Sequence, residues 1–310
     1  MKKSILPIVL FFVLVSCKKE DPSLNEGDDL VTKITYTGGS LIPEITEVSS
    51  ESTIAYTPNG WRSKETILHY ETYMGGEPRL TYTENYEHTY VNGLPSQTVG
   101  DSYFIHEFKT TYAYNNAGQL IQKTTVQKGN QSHPTTDEYT YSGKRLQTHI
   151  HIIRDEGREH CKVNSYTYNG NEVYLTETDY DLVNQLQSNE RQSVYTYTMN
   201  NEGAVVSKSE KNYSSETIVT DYYQYDQKRN PLYRDFLYRT VRPESFLDPK
   251  YAPHNLTKHS YTYKGGLVHI LYEYEYNGRG FPKSYKKRNE GRVIEYKEFE
   301  YWIDLLIIEC

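Results

Sequence analysis

The chain has 310 residues, a formal net charge of −7 and acidic and basic residues mixed along its length, which excludes a broad basic surface for nucleic acid. Its hydrophobic fraction is 36%, and 33 residues are tyrosine, so the aliphatic core of an average globular domain is excluded as well. We therefore expect a core built largely from tyrosine rings, because each buried aromatic side chain removes ~150–250 Å² from water.

The first 16 residues have the organisation of a secretory signal peptide. Lys2 and Lys3 form a cationic start, and an apolar run follows from Ile5 to Val15. This run is too short to remain as a membrane-spanning helix, which needs about 20 residues. We predict that residues 1–16 are removed from the mature protein.

The junction Leu14-Val15-Ser16-Cys17 resembles the lipobox of bacterial lipoproteins, in which the peptide is cut just before a cysteine that carries lipid. The resemblance implies acylation of Cys17, with membrane lipid as its partner. Acyl chains contribute about 0.8 kcal/mol per buried methylene, so a multiply acylated cysteine is a stable anchor. A chance cysteine after an ordinary signal peptide is the alternative.

Residues 17–30 are polar and acidic, which predicts a solvated tether. Its start, Lys18-Lys19-Glu20-Asp21, resembles the surface-export signal of Bacteroidota lipoproteins. This resemblance implies that Lys19, Glu20 and Asp21 direct the chain to the cell surface, where it is anchored in the outer membrane. The alternative is a plain tether on a lipoprotein that faces the periplasm.

From residue 31 to residue 310 one pattern recurs: two tyrosines separated by one residue, a turn rich in Asn and Gly, and an apolar residue. Clear copies begin at Tyr112, Tyr139, Tyr166, Tyr195, Tyr223, Tyr261 and Tyr274, and weaker copies begin near Tyr56 and Tyr90. Such self-similarity indicates a repeat architecture. Each repeat is long enough for two strands and two connections.

Side chains alternate between the two faces of a strand, so each Tyr-x-Tyr pair places both rings on one face. The run Tyr272-Glu273-Tyr274-Glu275-Tyr276 also places its carboxylates on the opposite face. The Asn-Gly, Ser-Gly and Gly-Gly pairs suit tight hairpin turns. We predict an all-β fold, a long antiparallel meander of tyrosine-rich hairpins that forms a curved sheet or a barrel-like wrap. A β-solenoid is the alternative, since the period alone does not distinguish coils from hairpins.

The second face of these strands carries mostly Thr, Glu, Lys, Gln and Ser. A lipid-facing band would need apolar residues there, so the pattern favours a sheet or barrel in water. The basic run Lys286-Lys287-Arg288 stands beside Asn-Glu-Gly and is interpreted as a turn. The terminal run from Ile303 to Ile308 is interpreted as a last core strand.

One repeat is longer than the others. The step from Tyr225 to Tyr263 contains residues 242–255, which include three prolines. We expect a loop off the sheet at this point, and loops often carry function. A lid that caps a barrel end or covers the aromatic face is the alternative.

The repeats resemble the YD repeats of Rhs-type proteins over roughly residues 53–300, although Asn or Ser usually replaces the Asp and Tyr225-Asp226 is the one good dipeptide match within the motif. Together with the lipobox and the segments 230–233 and 253–258, the chain resembles a Bacteroidota lipoprotein family of unknown function with a porin-like fold. The resemblance implies a barrel-like fold and an envelope location, and it brings no catalytic residues.

Few residues have the spacing of a reactive site. His149 and His151 share one strand face, and His160-Cys161 follow shortly. Imidazole and thiolate are zinc ligands, but no compact four-ligand spacing appears, so we expect a solvated strand face without a metal or cofactor. Cys161 and Cys310 are expected to be unpaired thiols, with a disulfide between them as the alternative.

These patterns predict a non-catalytic envelope lipoprotein whose β-repeat domain binds a partner, such as a glycan or another envelope protein, or serves as a structural spacer. The alternative is a polysaccharide-acting hydrolase with a carboxylate pair. The candidates for that pair are Glu273 with Glu275, or two of Glu295, Glu298 and Glu300.

Overall fold

The computed structural model of this chain describes residues 30–38, 45–57, 59, 61–73, 76–102, 106–155, 158–183, 186–211, 218–234, 236–263 and 265–301. The predicted signal peptide, Cys17, the predicted export residues Lys19, Glu20 and Asp21, the run from Ile303 to Ile308, and Cys310 lie outside these residues. The predictions made for them therefore stay predictions.

Eighteen strands make up most of the described chain. In order they are β1 (Val31–Gly38), β2 (Ile45–Tyr56), β3 (Arg62–Tyr73), β4 (Arg79–Val91), β5 (Leu94–Asp101), β6 (Phe108–Tyr114), β7 (Leu120–Gln127), β8 (Asn130–Ser142), β9 (Arg145–Asp155), β10 (Arg158–Asn169), β11 (Glu172–Val183), β12 (Leu186–Met199), β13 (Val205–Lys211), β14 (Ile218–Arg229), β15 (His254–Tyr263), β16 (Gly266–Tyr276), β17 (Pro282–Asn289) and β18 (Arg292–Tyr301). Between β14 and β15 lie one α-helix, α1 (Phe236–Val241), and the 3₁₀ turns Pro231–Arg234, Pro243–Leu247 and Pro249–Tyr251.

The sheet closes on itself. Each strand pairs antiparallel with the next, and β18 returns to pair with β1, where Ile34 lies opposite Phe299 and Tyr36 opposite Lys297. Closure pairs both edges of the sheet. The predicted barrel-like wrap is confirmed, and the β-solenoid alternative is wrong because successive strands are antiparallel neighbours rather than stacked coils.

The tyrosine face lines the lumen of the barrel. Tyr139, Tyr166 and Tyr197 are buried, and they pack with the apolar residues that follow the turns, namely Leu120, Leu146, Val173, Leu175 and Val205. In β16, Tyr272, Tyr274 and Tyr276 are half-buried while Glu273 and Glu275 are exposed. The sequence pattern therefore predicted correctly which side of these strands carries the core.

The second tyrosine of several motifs uses its hydroxyl to join consecutive turns at one end of the barrel. Tyr141 donates to the carbonyl oxygen of Leu120 at 2.9 Å, and Tyr168 donates to that of Leu146 at 2.8 Å. The same bond recurs at Tyr225, and at Tyr56, Tyr90 and Tyr301, where another residue stands in place of the first tyrosine. Each of these bonds satisfies a phenol hydroxyl at the edge of the core, which gives a physical reason for tyrosine rather than phenylalanine at these positions.

Two kinds of turn follow the tyrosine motifs. Asn115, Asn200 and Asn277 each accept two backbone N–H bonds on the side-chain oxygen, which shapes a five-residue turn. The shorter turns place Gly143 and Gly170 at a φ of 58°. Glycine reaches this left-handed region without the steric cost of a Cβ.

The outer face carries many polar pairs across the strands, beside exposed apolar side chains such as Leu271 and Ile294. Hydroxyls of Thr140 and Thr148 lie 2.7 Å apart, and those of Ser209 and Thr220 lie 3.1 Å apart. Ion pairs join Lys33 to Glu51 at 3.1 Å, Lys64 to Glu87 at 3.6 Å and Arg288 to Glu273 at 2.7 Å. Charges at such positions favour contact with water, because they are costly against lipid.

The segment between β14 and β15 turns into the lumen. Its helix α1 contacts β5 and β7, and the turn Pro243–Leu247 contacts β9, so the segment reaches the opposite wall. Phe246 packs on Tyr166 and Tyr168 with ring centroids 6.1 and 6.4 Å apart. Leu247 belongs to the tyrosine core.

Asn230 closes the base of this luminal segment. Its side-chain amide donates to the carbonyl oxygens of Lys250 at 2.7 Å and Ala252 at 2.9 Å. The prediction of a loop off the sheet is corrected, since apolar residues such as Leu237, Val241 and Leu247 are buried only when the segment folds inward. The alternative, a lid over the aromatic face, describes its position better.

Candidate functional site: a luminal cavity

A cavity of about 330 Å³ remains between the luminal segment and strands β1 and β15–β18. The luminal segment supplies one side of it and the barrel wall supplies the other. The residues that line it are Ile34, Asn230, Pro231, Leu232, Lys250, Asn255, Leu256, Tyr272, Tyr274, Pro282, Tyr285, Lys287, Glu295, Lys297 and Phe299. Protein pockets for small ligands begin at roughly 300 Å³, so this cavity has room for one small molecule.

Two lysines on the barrel wall share one carboxylate. Lys287 on β17 and Lys297 on β18 lie 3.6 and 3.3 Å from Glu295, and their side chains are 25% and 22% exposed. The Tyr285 hydroxyl also donates to Glu295. Burial opposes ionisation of Glu295, but the Tyr285 hydrogen bond and the two lysines outweigh it and lower the pKa of the carboxyl. Glu295 is therefore ionised at neutral pH, and it balances only one of the two ammonium groups.

Lys250 adds a third ammonium group from the luminal segment. Asp248 holds the local backbone, because its carboxylate accepts the N–H of Lys250 at 2.9 Å. Desolvation and the nearby charge of Lys297 lower the pKa of Lys250, while Asp248 and Glu295 oppose that effect. The residue is accessible to water in the lumen, but the surrounding wall still disfavours its charge.

Tyrosine rings form the wall beside these charges. The ring of Tyr285 lies 5.9 Å from that of Tyr272 and 5.3 Å from that of Tyr274. The ammonium groups of Lys287 and Lys297 lie 5.8 Å from Tyr272 and 5.6 Å from Tyr285, within cation–π range. Burial raises the pKa of Tyr272 to about 12, so its phenol stays protonated.

A second polar cluster lies in the lumen around Asp137, which is 3% exposed. His149 Nε2 and His151 Nδ1 lie 2.8 and 2.7 Å from its Oδ1, and Lys123 Nζ lies 2.8 Å from its Oδ2. Burial raises the pKa of Asp137, but hydrogen bonds from both histidines and the charge of Lys123 outweigh it and hold the pKa well below its usual range. His149 also stacks on Tyr139 with centroids 4.6 Å apart.

Asp137, His149 and His151 offer three ligand atoms close enough together to hold a metal ion. The oxygen-to-nitrogen distances of 2.7 and 2.8 Å are those of hydrogen bonds. Lys123 already supplies a positive charge to the carboxylate. A cation in that position opposes a second one, so we interpret the cluster as an ion network of the lumen.

The structure separates most of the residues singled out in the sequence. His149 and His151 share a face as expected, but His149 is buried against Asp137 rather than solvated. His160 bonds Asp181 at 2.9 Å, and Cys161 is half-buried and unpaired. Because side chains alternate along β18 and Glu295 faces the cavity, Glu298 and Glu300 lie on the outer face. Glu273 and Glu275 are likewise on the outer face.

Sequence reasoning missed the three cavity lysines. The run Lys286-Lys287-Arg288 was interpreted as a turn, but it lies inside β17, and the turn follows at Glu290 and Gly291. Alternation was the available signal, since Lys287 is two residues from Tyr285 and Lys297 is two residues from Phe299. Lys250 carries no comparable signal, because only the path of the luminal segment brings it to the wall.

No family model and no curated protein matches the chain. Among solved structures, the chain is similar to a porin-like protein from Bacteroides uniformis ATCC 8492, with 12% identity, 87% of this chain and 97% of that chain covered, and a TM-score of 0.46. It is also similar to a porin-like protein from Bacteroides vulgatus ATCC 8482, with 11% identity, 88% and 98% covered, and a TM-score of 0.44. In the described part of the chain, no helix is long and apolar enough to cross a membrane.

Proposed function

We propose that this chain is a non-catalytic lipoprotein of the outer envelope whose barrel binds a small ligand in the luminal cavity. The observation that carries the proposal is the cavity itself. It combines three ammonium groups, one carboxylate and several phenol rings, although a barrel interior needs only packed side chains for stability. Convergent polar groups in an otherwise apolar pocket are typical of ligand sites.

The envelope location is supported by the signal peptide, the lipobox at Cys17 and the polar outer face. The pairs Lys33–Glu51 and Lys64–Glu87 lie on that face, which suits a barrel that stands in water at the end of a lipid anchor. Lys19, Glu20 and Asp21 support display at the cell surface, with a periplasm-facing domain as the alternative.

A binding role is favoured over the hydrolase alternative by the carboxylates. The described residues that line the cavity include one carboxylate, Glu295, whereas glycoside hydrolysis uses two carboxyl groups about 5–9.5 Å apart. Glu295 is also neutralised by Lys287 and Lys297. Its low pKa suits a structural counter-ion rather than a general acid.

Thermal unfolding tests the binding proposal. The purified lipoprotein is heated with a panel of small sugars, organic acids, amino acids and nucleotides, beside a Leu232→Trp variant whose larger ring fills the cavity. We expect at least one compound to raise the Tm of the natural chain and not that of the variant, because a ligand stabilises the state that binds it. A panel that shifts neither protein, or shifts both equally, would refute luminal binding.

Protease shaving of intact cells tests the location. We expect the natural chain to be digested and a variant with Lys19, Glu20 and Asp21 replaced by alanine to be protected. Protection of both forms would refute surface display, and partners would then be sought in the periplasm.

A further inference from the structure

We infer that the ligand of the luminal cavity is a small acidic sugar, a monosaccharide that carries a carboxylate. This inference rests on the proposed function and adds the chemical class of the ligand.

The positive charge of the cavity favours an anionic ligand. Its lining holds three ammonium groups against the single carboxylate of Glu295. Lys287 and Lys297 both form ion pairs with that carboxylate. Among the described residues, no carboxylate oxygen forms an ion pair with Lys250. Asp248 and Glu295 lie near Lys250 with negative charges, and Lys297 and Arg242 lie near it with positive charges. A bound carboxylate would supply the missing counter-charge, and hydrogen bonds to charged groups are the stronger kind.

The tyrosine rings of the cavity wall favour a ligand that has an apolar face. Tyr272, Tyr274 and Tyr285 stand side by side, and Phe299, Leu256 and Pro282 extend the apolar wall. A sugar ring presents C–H groups on one face and hydroxyls at its edge. The C–H face fits the tyrosine rings, and the hydroxyls at the edge of the sugar ring lie toward the ammonium groups that share the cavity. Inorganic anions have no such face and would make no apolar contact with the tyrosine rings.

The size of the cavity limits the ligand to about one ring. At about 330 Å³ it lies at the lower end of the range for small-molecule pockets, roughly 300–1,000 Å³. An extended polysaccharide does not fit within that space. The site therefore matches a free monosaccharide acid or the terminal acidic residue of a glycan.

Calorimetric titration of the intact lipoprotein tests this inference with galacturonate, its neutral counterpart galactose, and inorganic phosphate. We expect galacturonate to bind, galactose to bind at least tenfold more weakly, and phosphate not to compete. The preference follows from the loss of a charge-assisted hydrogen bond. Higher salt is expected to weaken galacturonate binding.

Variants of two luminal lysines provide the matched control. Lys250→Met is expected to weaken galacturonate binding about tenfold or more, and Lys250→Arg is expected to retain it. Lys208→Met is the control, because Lys208 is also luminal, 4.6 Å from the ring centre of Tyr195, but does not line the cavity. We expect no change in that variant.

Failures of the two proposals are distinguishable. Equal affinities for galactose and galacturonate would overturn the inference that the ligand is acidic, while leaving a luminal binding site. An equal loss of galacturonate affinity in Lys250→Met and Lys208→Met would do the same. Phosphate that competes fully with galacturonate would overturn the sugar and leave a general anion site. If none of the panel compounds stabilises the natural chain over Leu232→Trp, the proposed function itself fails.

Discussion

At the scale of single residues, Asp137 shows how the lumen tolerates a buried charge. Its carboxylate is almost fully enclosed, yet it accepts bonds from two histidines and pairs with Lys123. Such a network is stable when every partner is present and costly when one is removed. The network borders the tyrosine core at Tyr139, so losing one of its partners is expected to lower the free energy of unfolding of the barrel.

Replacing Asp137 by asparagine is expected to lower the free energy of unfolding by about 2–4 kcal/mol, because Lys123 loses its counter-charge in the lumen. Urea unfolding measures the effect. The matched control is Glu87→Gln in the exposed pair with Lys64, which we expect to cost less than about 1 kcal/mol. Equal losses in the two variants would contradict the network.

The pH dependence follows from the lowered pKa of Asp137. A carboxyl whose pKa is lower in the folded than in the unfolded state stabilises the fold fully above its unfolded pKa, near 3.8, and loses that contribution as the pH falls below it. Natural protein is therefore expected to lose stability below about pH 4 more steeply than Asp137→Asn. Parallel curves for the two proteins would count against the assignment.

The tyrosine hydroxyls allow a similar comparison. Tyr168→Phe removes the 2.8 Å bond to the carbonyl oxygen of Leu146 and is expected to cost about 1 kcal/mol. Tyr114→Phe is the control, since the buried Tyr114 hydroxyl has no hydrogen-bond partner among the described residues. We expect no loss there. A comparable loss in both variants, measured by urea unfolding, would show that the bond is not what stabilises the motif.

At the scale of elements, the turns show what a dipeptide can and cannot predict. Asn169-Gly170 and Asn277-Gly278 look alike in the sequence, but only Gly170 has a positive φ. In the second turn, Asn277 caps a longer loop and the left-handed position falls on Gly280. The turn type therefore depends on whether a second glycine follows the Asn-Gly pair, as Gly280 follows Asn277-Gly278.

Gly170→Ala is expected to cost about 1 kcal/mol, because an L-residue at this φ brings its Cβ close to the backbone. Gly278→Ala is expected to cost little, since a Cβ there meets nothing within 4 Å and needs no left-handed backbone. Thermal unfolding of both variants distinguishes the two turns. A larger loss at Gly278 would show that the backbone assignment is reversed.

The luminal segment is held mainly by a few aromatic and apolar contacts. Phe246→Ala removes the packing on Tyr166 and Tyr168, so the segment is expected to open locally more often while the barrel stays folded. Limited trypsin digestion should then cleave faster after Arg239 and Lys250. Unchanged cleavage, or loss of the whole fold, would contradict this assignment of the contacts.

How far the sequence predicts this fold depends on whether the deciding contact is local. The faces of β10 follow from Tyr166-Thr167-Tyr168, because alternation is a property of the strand itself. Closure depends on Ile34 meeting Phe299, at opposite ends of the domain, and no local pattern contains that contact. The cavity combines both cases: Lys287 and Lys297 follow from alternation, whereas Lys250 depends on the folded path of the luminal segment.

At the scale of the whole molecule, the barrel differs from a lipid-facing one. Most of its tyrosine rings line the lumen, and threonines and ion pairs face outward beside exposed apolar residues such as Leu271 and Ile294. A lipid-facing barrel carries an apolar outer band and a polar interior. The proposed attachment to the membrane therefore depends on the lipid at Cys17, and the proposed binding takes place inside the barrel.

Release of the barrel from its anchor tests this account most directly. A specific protease site is inserted between Leu24 and Asn25 in the predicted tether, and the protein purified from membranes is partitioned between detergent and water before and after cleavage. We predict that the intact protein enters the detergent phase and that the released barrel moves to the aqueous phase still folded. A released barrel that stays in the detergent phase would contradict the account, because its outer surface would then bind lipid without the anchor.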